Sequence, residues 1–163
     1  MIRWRKFQVG AGKGRAGFLG LQKQALTTIG NVGAGEDDLQ SVLVEADSLY
    51  KNGQAIRVRA WGRSANNGND KTLRLYAGAT KIFDSGVLVL TNKPWFLEAI
   101  VLRTATDVQL AFAHGLAASA VLDPTRTALA LDDGASITFK VTGEATATDD
   151  IQCDYMEAVV ETV

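Results

Sequence analysis

Cysteine and histidine are almost missing from this sequence: Cys153 and His114 are the only ones among 163 residues. A lone cysteine excludes an internal disulfide, and the pair together cannot make a Cys/His zinc cluster. Long apolar runs are missing too, since none approaches the roughly 18 residues that cross a bilayer as a helix. The basic start MIRWRKF is not followed by an apolar stretch long enough for the core of a signal peptide. These absences lead to the expectation of a soluble chain, made in a cytoplasm, with no membrane partner. Its length fits one domain plus an appendage, and such a chain buries roughly two-thirds of its unfolded surface without needing staples.

Helical periodicity is also wanting, and period-2 alternation takes its place. Ala55 to Trp61 sets Ile56, Val58 and Ala60 against Arg57, Arg59 and Trp61; Thr72 to Ala77 sets Leu73 and Leu75 against Arg74 and Tyr76. Trp95 to Arg103 is apolar on both faces, as a central strand is when a loop or a neighbouring subunit covers its outer side. Further strands are expected over Leu39–Ala46, Lys81–Phe83, Val87–Leu90, Thr106–Ala113, Arg126–Leu131, Ser136–Val141 and Ile151–Val160. Cys153 falls at alternate spacing with Ile151 and Tyr155, as a buried, inert thiol would. The stretches Arg63–Asp70, His114–Thr125 and Gly143–Asp150 read as loops. The fold class is all-β, a jelly-roll β-sandwich of about eight strands.

Residues 1–35 stand apart as an extended, glycine-rich arm, and the sandwich is assigned to 36–163. Arg3, Arg5, Lys6, Lys13, Arg15 and Lys23 precede the first acid, Glu36. Of the 17 basic residues these are six, leaving eleven against 18 acids, a balance of −7 for the remainder. A basic arm on an acidic body points to an acidic protein surface as its partner, with nucleic acid the lesser alternative because the body repels it. Trp4, Phe7, Phe18, Leu19 and Leu21 are spaced through the arm like anchors for pockets on a neighbour. Extended, 35 residues reach on the order of 100 Å. Alternatively, the arm folds back as an edge strand of its own domain.

No cluster of residues makes a persuasive reaction centre. A nucleophilic triad would have to run through His114, with Ser119 or Ser64, and no nucleophile-elbow motif is present. Asp37-Asp38, Asp132-Asp133 and Asp149-Asp150 fall at turns, where aspartate is favoured for bonding the local backbone. The loop Asn66-Asn67-Gly68-Asn69-Asp70 has a faint likeness to a calcium loop but lacks its acidic spacing and terminal glutamate. Trp61, Trp95 and Tyr76 could stack on a sugar, or fill a core or an interface. The expectation is a non-enzymatic protein with no cofactor and no metal.

Gly30-Asn31-Val32-Gly33 leading to Glu36-Asp37, the Asn52-Gly53 turn, Ile56 to Gly62, Lys71 to Gly78 and Trp95 to Thr104 together resemble a β-sandwich domain of tailed-bacteriophage structural proteins. The resemblance spans roughly residues 30–160 and carries no catalytic signature. It implies a jelly roll that assembles as a homotrimer in capsid decoration (cement) proteins, head fibres or tail parts. Because the domain is nearly the whole sequence, the expectation leans to a decoration protein of the virion. Its partners would then be a major capsid protein or another virion protein and further copies of itself. Trp61, Tyr76, Phe96, Ile100 and Leu102 are the residues expected at the oligomer interface. The alternative is a tail or head fibre that recognises host saccharide.

Overall fold

The computed structural model describes residues 22–161, and everything in them is strand, turn or loop. The strands are β1 (Gln22–Ala25), β2 (Ile29–Gly30), β3 (Gly35–Val44), β4 (Ala55–Ser64), β5 (Asp70–Ala77), β6 (Thr80–Asp84), β7 (Leu88–Val89), β8 (Pro94–Ala105), β9 (Val108–Ala117), β10 (Ala120–Leu129), β11 (Ile137–Ala145) and β12 (Ile151–Glu161). They form two antiparallel sheets. One runs β1-β12-β4-β8-β9-β10, with β2 beside β1 on the same edge of β12; the other runs β3-β11-β5-β6, with β7 added to β5.

Four pairings nest from the chain ends inward: β1 with β12, β3 with β11, β4 with β8, and β5 with β6. A long hairpin rolled into two sheets gives that nesting, so the architecture is a jelly roll. Eight of the twelve strands build the roll. The β9–β10 hairpin is an addition between its sixth and seventh strands, and it widens the larger sheet by two strands.

The core lies between the sheets. Ile56, Val58, Ala60, Leu97, Ala99 and Val101 of the larger sheet meet Leu39, Val42, Leu73, Leu75, Phe139 and Val141 of the smaller, all buried. Each large side chain so removed from water contributes about 1.5–3 kcal/mol. Trp95, Leu97, Ala99 and Val101 are buried while Phe96, Glu98, Ile100 and Leu102 are half-buried, the one-sided burial expected of a central strand.

Three expectations from the sequence change. First, residues 114–125 are not an irregular loop: they complete β9 and open β10. Second, the boundary near Gly35 falls inside the sandwich, because Gln22 to Ala25 and Ile29 to Gly30 pair with β12. The back-folded edge strand therefore exists for that part of the arm. Third, Tyr155 does not continue the inward face of Ile151 and Cys153. The β4–β12 register skips Asp154, a bulge that turns Tyr155 outward and Met156 inward.

Candidate interaction face

The outward side of the seven-stranded sheet collects the side chains that alternation throws away from the core. Strand register places them in rows. Tyr155, Trp61, Phe96, Leu116 and Val121 stand opposite one another across β12, β4, β8, β9 and β10. Glu157, Arg59, Glu98 and His114 form the next row. Val159, Arg57, Ile100, Phe112 and Arg126 form a third, and Glu161, Ala55, Leu102, Leu110 and Ala128 a fourth.

The first row is an aromatic ladder. The Trp61 ring lies 4.5 Å from that of Tyr155 and 5.7 Å, edge to face, from that of Phe96. Arg59 lies over the same indole at 5.9 Å. These contacts hold Trp61 in place, yet it stays 37% exposed, with Phe112 at 44%, Leu116 at 41% and Val121 at 72%. The rows cover about 24 by 27 Å, on the order of 650 Å², and the second of the four is charged. Its apolar rows, three of the four, cover on the order of 500 Å², toward the upper end of the roughly 300–600 Å² that is the largest apolar patch usual on a monomer. The whole face is somewhat smaller than the roughly 800 Å² that each partner gives to a standard interface.

Charge on the face is mostly cancelled within the chain. Arg59 pairs with Glu157, which also accepts a hydrogen bond from the Tyr155 hydroxyl at 2.7 Å, and Arg57 pairs with Glu161 at 2.8 Å. Glu98 and Arg126 are the exceptions: Glu98 has His114 Nε2 at 3.6 Å as its neighbour, and Arg126 is exposed at the sheet edge. Paired charges between apolar rows suit a protein partner, because little unpaired charge need be desolvated.

The opposite sheet's outer side differs. Arg74 pairs there with Glu36, Asp84 and Glu144, and Lys140 with Asp38. Tyr76 belongs to this side. Its hydroxyl donates to Glu36 Oε1 at 2.8 Å and its ring lies under Lys140 Nζ at 5.2 Å, in an open depression of about 370 Å³. Burial and the bond to Glu36 push the Tyr76 phenol up to about 12. Trp61, Phe96, Ile100 and Leu102 thus share one face, and Tyr76 does not. With Trp95 buried in the core, the Trp61–Trp95–Tyr76 sugar platform does not form. The arm anchors Arg3, Trp4, Arg5, Lys6, Phe7, Lys13, Arg15, Phe18, Leu19 and Leu21 lie outside the described residues.

No protein-family model matches the chain, and no curated protein matches it as a relative.

The remaining candidates resolve into structural work. Asp37 accepts from the Val32 N–H and Asp38 from Lys140; Asp132 accepts from the Gly134 N–H while Asp133 holds Arg103. In the Asn66–Asp70 loop the cation is internal. The Lys71 ammonium donates to Asn67 Oδ1 and to the Asn69 carbonyl, each at 2.8 Å, while Asn67 and Asn69 donate to buried Asp150. Burial alone would raise the Asp150 carboxyl, but those amides, the Ala147 N–H and nearby Lys71 hold it below the usual carboxylate range. The Ser64 hydroxyl donates to the Lys93 carbonyl and accepts from the Lys93 N–H.

Burial pushes the Cys153 thiol up to about 12. Cys153 and Tyr76 both favour the protonated form in the folded state. Their stabilisation is complete below the unfolded pKa values, about 8.5 and 10, and fades as pH rises toward 12. Native protein at pH 8 should leave a thiol reagent unreacted for hours, with full reaction in denaturant; rapid native labelling would show that the bulge opens.

Proposed function

We propose that this protein is a non-enzymatic structural component of a virion, a homotrimeric capsid decoration protein. The observation that carries the proposal is the broad apolar outer face of the seven-stranded sheet. It is toward the upper end of what a lone subunit exposes, most of its charge is paired within the chain, and it is built from five strands in register. The opposite sheet's outer side is mostly ion-paired, with Leu43, Val87 and Val89 exposed around it, so the natural complement of this face is further copies of itself, each face meeting those of two neighbours about a threefold axis.

The basic leader supplies the second contact. β1 opens at the sheet edge with Gln22 opposite Val159, so the chain enters the body beside the third row of the face. Arg3, Arg5, Lys6, Lys13 and Arg15 would pair with carboxylates of the shell, and Trp4, Phe7, Phe18, Leu19 and Leu21 would fill its grooves. Each exposed ion pair is worth at most about 1 kcal/mol, but several leaders joined in one oligomer act by avidity. The fibre alternative has less support, since Trp95 is buried and the Tyr76 ring lies beneath Lys140.

Deleting residues 1–21 spares β1 and should leave the melting temperature within about 2 °C while binding to capsids falls at least tenfold. Undiminished decoration by the truncated protein would end the leader's role. Separately, Phe112→Glu with Leu116→Glu should turn the oligomer into a folded monomer, read as mass by light scattering. The control Leu43→Arg, at an exposed position on the other sheet, should not.

A further inference from the structure

Among the described residues, two charges on the face lack a full partner, Arg126 at its edge and Glu98 at its centre. Glu98 sits on β8 between the aromatic row and the Ile100–Phe112 row, with its side chain 22% exposed. Beside it on β4 is Arg59, already paired with Glu157. On its other side is His114 of the added hairpin, 48% exposed. The other charged residues near His114 belong to β10: Asp123, in the bulge where the register skips from Leu122 to Thr125, and Arg126, opposite Phe112. Both are exposed, at the edge of the sheet.

In a lone subunit water reaches both side chains of the pair. Covering the face removes that water. A carboxylate so buried without a counter-charge disfavours the assembly, whereas protonated His114, 3.6 Å away, neutralises it in place. Imidazole is the side chain that changes charge between pH 5 and 8. We infer that His114 and Glu98 form a proton-linked lock on this face, so that self-association takes up a proton at His114 and tightens as the solution is acidified. The inference rests on the reading of this face as the self-association surface and adds its regulation. The sign follows from linkage: a base that gains a partner in the assembled state stabilises it at low pH, and that contribution disappears as pH rises.

The test is sedimentation equilibrium of the full-length chain at pH 5.5 and pH 8.0. The wild type should associate at least about tenfold more tightly at pH 5.5, the scale of one charge-assisted contact. His114→Gln should hold the weaker, pH 8 affinity at both values. Glu98→Gln removes the charge that needs compensation and should associate no more tightly at pH 5.5 than at pH 8.0. Asp123→Asn and Arg126→Gln should keep the wild-type pH dependence. Association that is equal at both pH values, or weaker at pH 5.5, overturns the lock while leaving the face as the interface. Dependence that survives His114→Gln, or vanishes in Asp123→Asn or Arg126→Gln, assigns it elsewhere and also overturns the lock. A monomer at every pH instead removes the assembly reading itself.

Discussion

Asp133→Ala is expected to destabilise the body by about 3–5 kcal/mol, the range for breaking a buried ion pair from one side. The carboxylate holds one end of the sandwich together. Its Oδ2 accepts from Arg103 Nε at 2.6 Å and from the Asp107 N–H at 2.8 Å, and its Oδ1 accepts from Gln109 Nε2 at 2.6 Å. Arg103 in turn donates to Asn52 Oδ1 and Thr106 Oγ1, which ties the Asn52-Gly53 turn to the β8–β9 hairpin. Arg103 and Asp133 are both buried. Alanine would therefore leave a guanidinium out of water with its main partner gone. At roughly 2–4 °C per kcal/mol for a domain near this size, the melting temperature should fall by about 10 °C. Replacing both residues together, Arg103→Met with Asp133→Leu, should recover most of the loss, because neither charge is then stranded.

The same carboxylate gives the fold an acid limit. Burial would raise the Asp133 carboxyl, but Arg103, the Asp107 N–H and Gln109 hold it below the usual range. Glu36, Asp84 and Asp150 are likewise held low against the effect of burial. A depressed carboxyl stabilises the fold above its unfolded pKa, about 4, and that stabilisation is lost as pH falls through the folded value. Melting temperature should thus be flat near neutrality and drop below about pH 4. In Asp133→Ala the drop should be shallower.

Gly62→Ala should be comparably damaging, by about 3 kcal/mol or more, the upper end for forcing atoms into a packed interior. Gly62 lies on β4 opposite Trp95 on one side and Cys153 on the other. A Cβ there would overlap the Gln152 carbonyl oxygen and stand 2.6 Å from Trp95 Cζ2. Backbone oxygen cannot step aside, and the indole is held by its own Nε1–H bond to the same carbonyl at 3.1 Å. Gly62 is thus the gap that lets Trp95 cross the strand and secure the β12 bulge. That bulge turns Tyr155 toward Trp61, so the damage should reach the interaction face. Urea unfolding measures the stability loss; a second readout is whether the variant still self-associates. An alanine variant of wild-type stability would mean that the strands separate more easily than this packing allows.

Parity made much of this legible. The alternation in β4 and β8 identifies Trp61, Phe96, Ile100 and Leu102 as outward, and they do share a face. Parity assigns a side of a strand but not a sheet, which is why Tyr76, correctly outward, sits across the molecule from the others. Alternation along Thr106–Ala113 reads Val108, Leu110 and Phe112 as the inward set, but Gln109, Ala111 and Ala113 are the buried ones and Phe112 faces out. Leu116 falls in the stretch read as a loop. On the inner side of β9 stand Ala111, Ala113, Gly115 and Ala117, kept small because the chain packs closely there; a Cβ at Gly115 would lie 2.6 Å from Leu97 Cδ2. Small residues on one side blur the alternation on the other. The hairpin turn at Ala118-Ser119 puts Ala118 at φ 57°, without the Asn-Gly pair that would advertise it. Tyr155 was hidden by a bulge that shifts the period by one, and no sequence signal marks it. β1, with the sequence QKQA, carries no apolar alternation because it is an edge strand.

Hydroxyl-radical footprinting of the intact protein, dilute and then concentrated, tests most directly whether the seven-stranded sheet is where copies meet. Trp61, Phe96, Phe112 and Tyr155 should oxidise several-fold more slowly in the concentrated sample, with Tyr50 and Tyr76 unchanged. Protection of Tyr76 with no change at Trp61 and Phe112, or no protection anywhere, would contradict the account.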